Sequence, residues 1–233
     1  MQRKLINVTL ALTVVLAALS QAHTQSASTP YPKMAPVDQY LMPQQAEIAL
    51  ARSAAPPSIS DHAEILVMGR HGYKTAVKGA NGFVCFVERS WTNKLDHRDF
   101  WNPKVRAPFC VNAAAARSYL PITEMKTRLI LAGKSKQQMA TAIQTAFDQK
   151  KLPPIERGAM CFMMSKQGYL NDAATHWHPH VMFFTPLTKP ESWGANLPAS
   201  PIFGTEDQLD RLTVFFIPVA KWSDGTPDAN PIN

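Results

Sequence analysis

Between residues 63 and 91 three apolar runs, AEILVMG (63–69), YKTAVKG (73–79) and FVCFVERSW (83–91), are separated only by Arg70-His71-Gly72 and Ala80-Asn81-Gly82. Runs this short cannot bury themselves as helices. Glycine-containing connections of this length are hairpin signals, because glycine supplies the positive φ that tight turns need. The spacing predicts a three-stranded antiparallel meander. Three more strands are predicted within GAMCFMMSKQGYL (158–170), HVMFFTP (180–186) and LTVFFIPVAKW (212–222). The clearest helix is Lys136–Lys150. Ser135 and Gln138 form a capping-box pattern, Met139, Ile143 and Ala146-Phe147 recur at helical spacing, and Pro153-Pro154 ends the run. Short helices are expected at 44–53, after Pro43, and at 112–119, capped by Asn112 and stopped at Pro121. Residues 92–111 read as irregular, and a proline-rich stretch runs from the strand at 180–186 to about 205. Strands and helices are segregated along the chain. That argues for an α+β fold: a mostly antiparallel sheet of about six strands, one main helix and one or two short helices.

The N-terminus carries a different message. Arg3 and Lys4 precede an apolar run from Leu10 to Leu19, and Ser20-Gln21-Ala22 places small residues at a cleavage site. This is the signal-peptide pattern, and the run is shorter than the ~20 residues of a spanning helix. Residues 1–22 are therefore expected to be a cleaved signal peptide, and the protein to be secreted or periplasmic with no transmembrane segment after cleavage. Residues 23–36 (HTQSASTPYPKMAP) read as a disordered leader, 37–222 as a single α+β domain, and 223–233 as a flexible tail.

Export changes how the composition is read. The chain has 24 Lys and Arg against 17 Asp and Glu, a net charge of +7. Removing Arg3 and Lys4 takes this to +5. The basic residues are dispersed rather than gathered into a patch, which argues for solubility and against a nucleic-acid partner. A protein or small-molecule partner is not specified by the sequence. Cys85, Cys110 and Cys161 make an odd count. An oxidising compartment allows one disulfide and leaves one thiol, but spacing does not set the connectivity.

The histidines offer the sharpest chemical pattern. Three of the seven fall in His176-Trp177-His178-Pro179-His180. Alternate residues of an extended chain point the same way, and neutral imidazole is a common ligand for first-row metals. The leading expectation is a binding module that holds a transition metal, Zn or Cu, through His176, His178 and His180. The alternative is a Zn-dependent hydrolase using the same three ligands and a bound water. Against both stands a plainer reading, in which these histidines make hydrogen bonds and pack around Trp177 at a strand end. Met160, Met163, Met164 and Met182 in neighbouring strands suit copper but suit a hydrophobic core better. Arg70-His71-Gly72 after an apolar strand resembles the opening of histidine phosphatases. That remote alternative would make His71 the phosphorylated group, and it fails if residue 72 leads into a hairpin. Ser165 and Ser200 lack a nucleophile-elbow motif, Cys85 and Cys161 lie in apolar runs, and Glu88-Arg89 reads as a surface ion pair.

Three stretches, GRHGYKTAVKGANGFVCFVERSW (69–91), GAMCFMMSKQGYL (158–170) and HWHPHVMFF (176–184), resemble a family of signal-peptide-bearing bacterial exported proteins of unknown function. The resemblance implies an exported bacterial protein and transfers no activity.

Overall fold

The computed structural model describes residues 30–173 and 177–229. The expected signal peptide, residues 23–29 of the expected leader, His176 and the last four residues of the expected tail lie outside the described residues. Four elements precede the first crossover: helices α1 (Gln44–Arg52) and α2 (Pro57–Ser60), then strands β1 (Glu64–Gly69) and β2 (Gly72–Val77). They are followed by β3 (Val84–Glu88) and β4 (Ala107–Val111), then helices α3 (Ala113–Ser118), α4 (Leu120–Leu131) and α5 (Lys136–Asp148). The chain ends with β5 (Met160–Met163), β6 (His180–Pro186), β7 (Phe203–Asp207) and β8 (Leu212–Pro218).

The fold is α+β, as the segregated pattern predicts, but the sheet has eight strands rather than about six, in the order β2-β1-β3-β4-β5-β6-β8-β7. The sheet is mixed: β1 and β3 are parallel, and the other pairs are antiparallel. The expected meander is therefore half right. β1 and β2 form a hairpin with Gly69 opposite Gly72. After β2 the chain does not turn back on itself; it crosses the start of β1 and enters β3 beside Glu64. Gly79 marks the crossing. A Cβ there would lie 2.1 Å from the backbone nitrogen of Glu64, so only a residue without a side chain lets the two backbones pass. Gly79 thus signals close approach rather than a hairpin.

The missed elements have local causes. β4 lies in the stretch read as irregular because Pro108 interrupts it. The strand pairs with β3 along its whole length but with β5 only at Cys110 and Val111, which leaves room for a residue without an N–H. β7 is an edge strand whose five residues are half-buried or exposed, so it lacks an apolar run. Among the described residues five α-helices replace the expected two or three. The largest omission is α4, twelve residues long, because Pro121 reads as a stop after α3. It stands in the first turn of α4, where the missing N–H would have no intrahelical partner anyway. The Asn112 cap and the Ser135–Gln138 capping box are both formed.

The sheet separates two cores. α1 and α2 cover one face, over Ile65, Val67, Cys85, Val87 and Cys110. α3, α4 and α5 cover part of the other, over Phe86, Phe109, Val111, Cys161, Met182 and Phe184. Strand alternation sends successive residues to opposite faces, which decides the cysteine pairing. Cys85 and Cys110 lie opposite each other on β3 and β4 and form a disulfide on the α1 face. Cys161 belongs to the opposite core and remains a buried free thiol, pushed well up by burial. Residues on both flanks of the sheet are also seated. Tyr31, Met34 and Ala35 pack against the larger core, and Asp228 is buried, its N–H donating to the carbonyl of Ala220. No helix among the described residues is long and apolar enough to cross a membrane.

Candidate functional site

The three helices leave part of their sheet face uncovered, and a cavity of about 490 Å³ opens there. Its floor comes from one face of five strands, including Ala107 and Phe109 of β4, Met163 of β5, Met182 and Phe184 of β6, and Val214 and Phe216 of β8. Tyr119, at the junction of α3 and α4, forms a wall; its ring stacks on Phe184 at 4.3 Å and 13° and lies nearly parallel to Phe109. The segments around residues 92–97 and 170–171 supply the rest. This volume is within the ~300–1,000 Å³ range of small-molecule sites, which are largely apolar with a few placed polar groups.

Glu88 is the most unusual of those polar groups. It ends β3 on the same face as Val84 and Phe86, and it is only 4 % exposed. Its Oε1 accepts hydrogen bonds from the hydroxyls of Tyr119 (2.9 Å) and Thr123 (3.1 Å), and its Oε2 from Thr92 (3.0 Å). Burial pushes its carboxyl up to about 7, against the pull of those three hydroxyls and of the Lys126 ammonium. Lys126 does not pair with it; its Nζ bonds Asp210 at 2.5 Å. The result is a carboxyl that changes charge near neutral pH at the edge of an apolar chamber.

The surface ion pair expected of Glu88-Arg89 is not what the structure contains. Both residues are buried, and they face different partners. Arg89 donates from Nη2 to Glu47 Oε1 at 2.7 Å and from Nε to the carbonyl of Tyr40 at 2.7 Å. Neighbours on a strand point to opposite faces, so an adjacent acid and base need not meet. The supports of Glu88 were invisible for a related reason. Tyr119, Thr123 and Thr127 form a stripe at i, i+4 and i+8, and Thr127 accepts from Trp91 Nε1 at 3.0 Å. The spacing was in the sequence, but a helix read as ending before Pro121 carries no such stripe.

The histidines meet different fates. His180 begins β6 and lines the cavity. Its Nδ1 lies 2.8 Å from the carbonyl of His178. A carbonyl only accepts, so Nδ1 carries the proton and a neutral ring presents Nε2 as an acceptor. Burial holds the ring below the usual histidine range. Trp177 and Phe216 flank it at 5.7 and 5.8 Å. His178 instead pairs through Nδ1 with Asp228 at 2.6 Å. Metal ligation by either ring would therefore use Nε2. His176 lies outside the described residues. Among the described residues no group of three or more His, Cys, Asp or Glu is placed to hold a metal ion. His97, not singled out by motif, also lines the cavity, with Nδ1 accepting from the backbone N–H of Asp99.

The remaining candidates are elsewhere. His71 occupies the β1–β2 turn, and Gly72 opens the second strand of that hairpin, so the strand-to-helix setting of a phosphohistidine is missing there. Ser165 is buried with its Oγ 2.6 Å from Ser53 Oγ. Ser200 makes local contacts with Ile202. Cys85 is consumed by the disulfide. No protein-family model, curated protein or solved structure matches the chain.

Proposed function

We propose that this chain is an exported protein that binds a small molecule in the cavity beside Glu88. The observation that carries the reading is a buried carboxyl, held by three hydroxyls, at the wall of a largely apolar chamber with a few polar groups. A structural core would fill that space or pair that acid. A binding site needs an apolar body pocket and one polar anchor. Export is supported by the N-terminal pattern, by the resemblance to exported bacterial proteins, and by a cross-strand disulfide of the kind oxidising compartments maintain.

Indole is a suitable probe. It should raise the melting temperature and shift amide resonances of β5, β6 and β8, and Val214→Trp, which fills the chamber, should abolish both effects. No response to indole, or an equal response in Val214→Trp, would reject the site.

A second reading keeps Zn or Cu at His176, His178 and His180, as binding module or hydrolase. Its support is that both described rings are oriented through Nδ1, by a carboxylate and by a carbonyl, as metal-bound histidines commonly are. Elemental analysis of protein purified from the periplasm, beside a His176→Ala/His178→Ala double variant, tests it. Equal metal in both preparations removes the assignment.

A further inference from the structure

Resting on the cavity reading, we infer that the natural occupant carries a protonated amine on an aromatic or apolar body, with the amine placed against Glu88. The chain as a whole is basic, with 24 Lys and Arg. Yet no lysine or arginine is among the described residues lining the cavity, and Glu88 is the one carboxylic acid there. Lys126, the buried cation whose charge reaches Glu88, is held by Asp210 at 2.5 Å. An anion entering the chamber would find no lysine or arginine among the described lining residues and a carboxyl that repels it. A cation would find a carboxylate and the acceptor Nε2 of His180, and its apolar body would meet Met163, Met182, Val214 and Phe216. The three hydroxyls steady the ionised carboxylate without neutralising it, so binding needs no side chain to be displaced.

Other titratable groups within reach of Glu88 do not supply the missing charge. Tyr73 from β2, Tyr119 between α3 and α4, and Cys161 from β5 all have protonated forms favoured by burial. The carboxyl's rise to about 7 adds a signature. An ammonium like that of lysine stays charged until about pH 10, so the pH dependence of its binding reports the site and not the ligand.

The test compares phenethylamine, phenethyl alcohol and 3-phenylpropanoate by titration calorimetry on the full chain. The expected order is amine, then alcohol, then carboxylate, with the amine favoured by about tenfold over the alcohol, the scale of one charge-assisted hydrogen bond. Amine affinity should rise about tenfold from pH 5.5 to 8.5, as the fraction of ionised Glu88 grows, while the alcohol changes little. His97 and His180 would repel an amine when protonated, so Glu88→Gln must remove most of that rise and bring amine and alcohol together. The wild-type ligand order at pH 8.5 needs no variant and decides the matter even if Glu88→Gln fails to fold. Equal binding of all three ligands, preference for the carboxylate, or a flat pH series for the amine would overturn the inference and leave the cavity standing. Failure of all three to bind would overturn the cavity reading with it.

Discussion

Glu47 and Glu88 are both buried carboxyls, on opposite sides of one sheet, and they are solved differently. Glu47, on α1, meets the Arg89 guanidinium at 2.7 Å and also accepts from the backbone N–H of Met68. The acid and the base cancel, the neighbouring Cys85–Cys110 disulfide ties β3 to β4, and the α1 face is a sealed core. Glu88 meets hydroxyls only and borders open space. A guanidinium makes a buried carboxylate structural, because neither charge can then be removed without stranding the other. Hydroxyls leave the charge free to respond to pH or to a ligand. The two faces therefore divide the work: one holds the sheet together, and the other keeps a costly group for use.

The comparison can be broken most forcefully at the sealed face. Arg89→Ala strands Glu47 and should cost about 3–5 kcal/mol of unfolding free energy in urea titration; a loss below about 1 kcal/mol would remove the distinction between the two carboxyls. Opening the disulfide with Cys85→Ala should cost about 3 kcal/mol, as expected for a closed loop spanning 25 residues, and adding reductant to wild type should match it. Glu88 should behave in the opposite sense. Its folded-state value of about 7 lies above the ordinary 4.5, so its favourable contribution is complete below pH 4.5 and is lost as pH rises through 7. Wild type should lose on the order of 2–3 kcal/mol between those limits. Glu88→Gln should be nearly neutral at pH 5 and stabilising at pH 8, measured as denaturation midpoints. A pH-independent difference would mean that the acid is paired after all. The smallest effect belongs to α5, none of whose residues lines the cavity. Ser135→Ala removes the capping box of α5 and should cost about 1 kcal/mol, with indole affinity unchanged if α5 only supports the chamber.

The sequence carried local matters well, and a few residues show where it stopped. Asn112 and Ser135 announce their helices because a cap is a bond between neighbours. Pro121 misled because its effect depends on whether a helix is ending or beginning. The histidine cluster drew attention by density. Of its described members, His180 lines the cavity, while His178 turns to Asp228, fifty residues away in the chain. Glu88 drew none, because an acid followed by an arginine looks like a surface pair anywhere.

By itself the sequence determined the α+β class, the hairpin at Gly69–Gly72 and the capped helices, and it raised the expectation of export; all of these follow from periodicity, turn residues and local hydrogen bonds. Tertiary structure alone decided the parallel crossing at Gly79, the pairing of Cys85 with Cys110 and the burial of Glu88 beneath Tyr119, Thr123 and Thr92. Each depends on which strand lies beside which, and on which face a residue points to after pairing. The charge state of a carboxyl is set by what surrounds it in space, and nothing beside Glu88 in the chain says that it will be hydroxyls and a cavity rather than water.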